Sequence, residues 1–127
     1  MSIRDTAIKL LEIYGRAWET KDPELIGTIF AEEATYNDPK EAINNGKEAI
    51  KEYWRYKVIG EEDDIKFKLL NLWIDGETVI AEWHATFKDI KRHVHIDMNE
   101  VAIFTIKDGL INSFREYYKT VKTPSRL

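Results

Sequence analysis

The sequence predicts an α+β domain in which three N-terminal helices pack on one face of a strongly curved antiparallel sheet. Two observations carry this reading. Apolar residues recur every three or four positions up to about Ile59, and every second position from Ile65 onward. Two Asp-Gly pairs, Asp75-Gly76 and Asp108-Gly109, then divide the second half into hairpins.

The elements follow in order. Ser2 and Asp5 have the spacing of a capping box with Asp in place of Glu. Ala7, Leu11, Tyr14 and Trp18 mark the buried face of a first helix ending near Thr20. Asp22-Pro23 reads as a cap followed by a first-turn proline, and Leu25, Ile26, Ile29 and Phe30 suggest a second short helix. A β-prone run, Ala34-Thr35-Tyr36, leads to Asp38-Pro39, where proline holds the acid on extended backbone. An irregular loop through Asn44-Asn45-Gly46 precedes a third helix, Lys47 to Ile59, with Ile50, Tyr53, Trp54 and Tyr56 or Lys57 facing inward. Strands are expected at Ile65–Ile74, Thr78–Phe87, about Val94–Ile106 and Leu110–Tyr118, and Lys119–Leu127 as a loosely ordered tail.

Composition narrows the function. At 127 residues the chain suits a single domain, with a core from about residue 3 to 118. A net charge of −4 argues against a nucleic-acid partner. No apolar run is long enough to cross a bilayer, and no signal-peptide pattern opens the chain. Cysteine is absent, which excludes disulfides and thiol chemistry and suits a cytoplasmic location. Four tryptophans suggest a lined pocket or an interface.

The helix order, together with A-T-Y-N-D-P, G-K-E-A-I and D-G-L-I-N-S-F-R-E-Y-Y, resembles the nuclear transport factor 2-like superfamily, from about Ile8 to Tyr118. Within it the chain looks most like the SnoaL-like group of polyketide cyclases and ketosteroid isomerases. The resemblance implies a cone-shaped fold and a small-molecule pocket whose chemistry needs no cofactor. It does not choose among isomerases, hydrolases, carriers and interaction modules. Asp38 stands where the isomerases keep their general base, and Tyr14, eight residues before Asp22, where they keep an oxyanion donor. Their third group, a protonated acid, falls on Ala102 here, so that triad is incomplete. Limonene epoxide hydrolases have an Arg-x-Asp pair where this chain has Trp83 and Ala85. Their last-strand acid corresponds to Glu116, and their Tyr-x-Asn to Tyr36 and Asp38.

Strand alternation gives the inward set. It comprises Trp83, Ala85 and Phe87; Met98, Glu100, Ala102 and Phe104; and Phe114, Glu116 and Tyr118. With Tyr14, Trp18, Tyr36, Asp38 and Trp54 they describe an aromatic chamber with up to three acids. Asp38, Tyr14 and Glu116 are the catalytic candidates. Acids crowded into an apolar cavity titrate high, giving either a base poised near neutrality or a box for a cationic amine. The ligand is expected to be small and apolar or aromatic, with a carbonyl or a positive charge. Each residue also has a plainer role: Asp38 as a turn acceptor, Tyr14 as core, and Glu116 as partner of Arg16, Arg55 or another cation.

His93, His95 and Asp97 alternate on one strand face, but on the outer one, so a solvated strand start or a dimer contact is expected there and no metal. The outer face also carries Ile80, Val101 and Ile103, and a covering second copy of the chain explains them most economically.

Overall fold

Ser2 Oγ accepts a hydrogen bond from the Asp5 amide at 3.1 Å and starts α1, Ile3–Glu19, as the capping pattern predicts. The computed structural model describes residues 2–124. Asp22 Oδ1 caps α2, Pro23–Gly27, by accepting from the amides of Glu24 and Leu25. This helix is shorter than predicted, and Phe30 is the first residue of β1, Phe30–Asn37. Sheet pairing overrides the helical pattern there: Ile29 O accepts from the Ile111 amide, and Phe30 pairs with Ile111. The two-residue strand β2, Asn44–Asn45, pairs with β1 in what the sequence suggested was irregular loop.

The third helix is α3, Lys47–Tyr53, continued by a π-helical segment, Trp54–Ile59. Such widened turns are uncommon and cluster at functional sites. Ile50, Tyr53, Trp54 and Val58 are buried; of the alternatives Tyr56 or Lys57, Tyr56 is 47% exposed and Lys57 turns toward the cavity. The wider π turn carries the inward face on to Val58. Trp54 Nε1 donates to Ala17 O at 3.0 Å, tying this segment to α1.

Four long antiparallel strands follow: β3, Glu62–Asp75; β4, Thr78–Asp89; β5, Val94–Lys107; and β6, Leu110–Pro124. The sheet order is β2-β1-β6-β5-β4-β3, with β1 parallel to β6. The hairpin loops are Gly76-Glu77 and Asp108-Gly109, with positive φ at Gly76, Asp108 and Gly109. Register shifts in β1, β3 and β6 add local twist, the means by which a sheet curls around helices.

Two predicted boundaries are corrected. β3 begins at Glu62, three residues before Ile65, because Glu62 and Asp63 pair with Asp89 and Lys88. Lys119–Pro124 are not a loose tail: they continue β6, paired with Asn99 back to Val94. The remaining tail residues, 125–127, lie outside the described residues.

Helix α1 lies across the concave face. At Gly15 an added Cβ would fall 2.4 Å from Phe67 Cδ1, so the missing side chain lets α1 approach β3 closely. Tyr14 is packed among Trp18, Trp54, Phe67, Trp83 and Phe114, with ring centroids 5.2–6.3 Å apart. These rings fill the narrow end of the cone.

Candidate functional site

Register stacks the concave face of β4, β5 and β6 in rows. From the narrow end outward they are Ala81, Ala102 and Glu116; Trp83, Glu100 and Tyr118; Ala85, Met98 and Thr120; then Phe87, Ile96 and Lys122. A cavity of about 250 Å³ opens along these rows, roofed by α1, α3 and the π-helical segment. Its lining includes Tyr14, Trp18, Tyr36, Asp38, Trp54, Met98, Glu100, Glu116 and Tyr118 from the sequence-derived set. Trp83, Ala85, Ala102 and Phe114, expected to line it, are buried but stand behind the lining, in packed core. The aromatic cluster around Tyr14 fills the space they would have faced.

Five acids in this cavity are almost wholly buried: Asp38, Glu62, Asp89, Glu100 and Glu116. Asp38 sits just after β1 and accepts three hydrogen bonds. The Lys40 amide and Tyr118 Oη donate to Oδ1 at 2.9 and 2.8 Å, and Tyr53 Oη donates to Oδ2 at 2.6 Å. The two readings of Asp38 from sequence are thus both realised in one side chain: it is a turn acceptor and a cavity acid.

Glu116 meets neither Arg16 nor Arg55. Tyr36 Oη donates to Glu116 Oε1 at 2.9 Å, and Tyr14 Oη lies 3.0 Å from Tyr36 Oη. Since Tyr36 gives its proton to Glu116, Tyr14 gives its own to Tyr36, and the expected oxyanion donor is committed within the protein. Burial holds the phenols of Tyr14, Tyr36 and Tyr53 well above their ordinary range, so all three are neutral donors. Burial also raises Tyr118, reinforced by its bond to Asp38.

Glu100 and Glu116 project from adjacent strands, and burial raises both carboxyls. Trp83 Nε1 donates to Glu100 Oε1 at 3.0 Å, while Glu100 Oε2 is buried with no hydrogen-bond partner. Desolvation pushes Glu100 up to about 7. Burial, then the adjacent Glu100 charge, holds Glu116 well above the carboxylate range.

Sequence reasoning missed Glu62 and the role of Tyr53. Trp18 Nε1 donates to Glu62 Oε1 at 2.8 Å, and burial pushes this carboxyl up to about 7 as well. Glu62 stands in E-E-D-D, a run that reads as solvated loop, and only its pairing with Asp89 turns it inward. Tyr53 was legible as an inward helical residue, but its reach to Asp38 was not.

At the mouth the acids have cationic partners. Arg92 bridges Glu61 and Asp89 at 3.0 and 2.9 Å, and Lys57 pairs with Glu61 at 3.4 Å. Of the three residues expected on the outer strand face, His95 and Asp97 share that face of β5, and His93 does not. His93 lies in the β4–β5 turn with φ 58°, and Asp97 bonds to His84 Nε2 at 2.7 Å.

Three helical segments on a curled six-stranded sheet, with an acid-bearing cavity between the layers, define an α+β fold of the nuclear transport factor 2-like class. The SnoaL-like domain model matches residues 11–114, and the chain belongs to that family. No curated protein matches the sequence. Among solved structures, a candidate isomerase from Bacillus subtilis superimposes with a TM-score of 0.83 at 20% identity, covering 94% of this chain and 90% of that one. A protein of ketosteroid isomerase-like fold from Catenulispora acidiphila, in complex with trimethylamine, gives 0.78 at 20% identity, with coverages of 87% and 85%. An LEH-like epoxide hydrolase from M. tuberculosis gives 0.74 at 17% identity, with coverages of 91% and 84%. At these identities the likeness establishes the fold. No helix among the described residues is long and apolar enough to cross a membrane.

Proposed function

We propose that the cavity binds a small organic molecule and moves a proton on it by isomerase- or cyclase-type acid–base chemistry. The observation that carries this reading is Asp38 in the same cavity as two buried carboxyls, Glu100 and Glu116, which burial favours in their protonated form. In this scheme Asp38 Oδ2 takes a proton from carbon next to a carbonyl, and the electron pair moves onto the carbonyl oxygen. The Glu100–Glu116 pair supplies a hydrogen bond or proton to that oxygen. The neighbours named as a candidate isomerase and an epoxide hydrolase keep such reactions within reach of the fold. The trimethylamine held by the Catenulispora protein adds amines to the candidate ligands. At about 250 Å³ the cavity lies below the roughly 300–1,000 Å³ usual for drug-sized ligands, which favours a single-ring or short-chain molecule.

Deuterium uptake from solvent into cyclohexanone and small β-keto compounds, followed by NMR, tests the reaction. Asp38→Asn is expected to lower the enzyme-dependent rate by about 100-fold or more. An unchanged rate would remove Asp38 from the mechanism. A second reading, a ligand carrier, draws support from the three donors that already occupy Asp38 and blunt it as a base. A carrier would be stabilised against heat by ligands that it leaves intact, with no exchange.

The outer sheet face is proposed to pair with a second copy. Trp73, Ile80 and Ile103 are aligned across β3, β4 and β5, and Val101 stands beside Tyr117. Trp73 and Tyr117 are each about half exposed, too much apolar surface in one band for an isolated sheet face. Sedimentation equilibrium should give a dimer for the native chain and a monomer for Trp73→Lys combined with Tyr117→Lys. A native monomer at tens of micromolar would reject the pairing. A cysteine-free chain accords with a reducing cytoplasm, which cell fractionation would check.

A further inference from the structure

Lys40, Lys57, Arg92 and Lys122 line the same cavity, yet four of its five buried acids stand outside the ion pairs. None of the ion pairs among the described residues involves Asp38, Glu62, Glu100 or Glu116. Hydrogen bonds to them come from neutral donors: two indoles, three phenols and the Lys40 amide. Glu100 Oε2 goes further. It is buried, belongs to a cavity-lining side chain, and meets no donor. Around these oxygens stand the rings of Tyr14, Trp18, Tyr36, Tyr53 and Trp54, all lining the same space. Carboxylates without counter-ions, walled by π faces, complement one kind of ligand group: a compact, weakly hydrated positive charge.

We propose that the natural ligand carries a cationic nitrogen, a protonated amine or a quaternary ammonium, held inside the cavity by Glu62 and the Glu100–Glu116 pair. The inference rests on the cavity being the ligand site and goes with its carrier reading, since the ammonium displaces the proton that the acid–base scheme places on Glu100 and Glu116. Binding is an exchange: the ammonium comes in and the carboxyl proton leaves to solvent. Lys57 and Asp89 face Glu62 from the π-helical segment and β4, and Tyr14, Tyr36, Asp38 and Tyr118 surround the Glu100–Glu116 pair. Lys57 is paired with Glu61, and its charge also favours the ionised form of Glu62, though burial outweighs it.

The test compares choline with 3,3-dimethylbutan-1-ol, its uncharged carbon isostere, by calorimetry on the full chain between pH 5.5 and 8. Choline has a permanent charge, so any pH dependence belongs to the protein. Choline is expected to bind at least tenfold more tightly than the isostere at pH 8. Its affinity should rise with pH through about 7, on the order of tenfold per unit while one proton is displaced, with proton release to the buffer. Glu100→Gln, which keeps an acceptor for Trp83, should cost choline tenfold or more and leave the alcohol unchanged. Glu62→Gln gives the same comparison should the first variant fold poorly. If the alcohol binds as well as choline, or choline affinity falls as pH rises, the cationic ligand is rejected while the cavity stands as a ligand site. If neither binds, both readings fall together.

Discussion

Glu61 and Glu62 are adjacent in sequence and opposite in circumstance. Glu61 sits at the mouth of the cavity, where burial would raise its carboxyl pKa. Hydrogen bonds from Arg92 and Lys57, with the charge of Lys91, outweigh that and hold it below the usual carboxylate range. Glu62 points inward from the first residue of β3, with one indole donor and a carboxyl pushed up to about 7. The same contrast separates Asp89, held low despite its burial by bonds from the Arg92 amide and guanidinium, from Glu100 and Glu116, held high by theirs. Lys57 and Arg92 pair with Glu61, and Arg92 also with Asp89; no ion pair among the described residues reaches Glu62, Glu100 or Glu116. A charge gradient of this kind is costly to folding, and surfaces evolved only for stability do not need one.

The largest effect expected from this contrast is an inverted pH dependence of stability. Between about pH 4.5 and 7 the unfolded chain has released the Glu62 and Glu100 protons while the native protein still holds them. Native binding of more protons makes stability fall as pH rises. Glu62 alone, moved from 4.5 to about 7, contributes about 3 kcal/mol over that interval. Urea denaturation should give a higher midpoint at pH 5.5 than at pH 8. A midpoint that climbs over this range would mean that the chamber acids are not desolvated in solution.

A smaller effect isolates one residue. Glu62→Gln keeps an oxygen for Trp18 Nε1 and removes the charge, so at pH 8 it should stabilise the protein by about 1–2 kcal/mol and flatten the pH slope. Loss of stability would show that Glu62 carries no charge to be relieved. Smallest is the neighbouring change, Glu61→Gln. Its partners Lys57, Lys91 and Arg92 are partly exposed, so the expected loss is about 1 kcal/mol or less, shrinking further in 0.5 M salt. Opposite signs for the same substitution at adjacent positions would be the sharpest form of the comparison. Equal signs would dissolve it.

Much of the frame was legible from residues. The helical faces around Tyr14 and Trp54 follow from apolar spacing, and the Asp108-Gly109 loop, with positive φ at both positions, pins the register of β5 against β6. Once that register is set, the side chains of Met98, Glu100, Glu116 and Tyr118 must share the concave face. The candidate site was legible to the extent that it lies on these strands. Glu62 escaped because acids in a run give no periodic signal, and Trp83, Ala85, Ala102 and Phe114 were placed at the lining because alternation tells face and not depth.

The sequence by itself determined which residues of α1, β4, β5 and β6 turn inward, because helix and strand periods and turn backbone conformations are local properties of the chain. The tertiary structure alone decided where the strands end and which acids keep company with cations. β6 runs on to Pro124 because β5 offers Val94–Asn99 as a partner. Glu62 is isolated because Asp89 pairs with it from a strand 27 positions away in the chain. Pairing and desolvation depend on groups distant in sequence, and no local pattern encodes them.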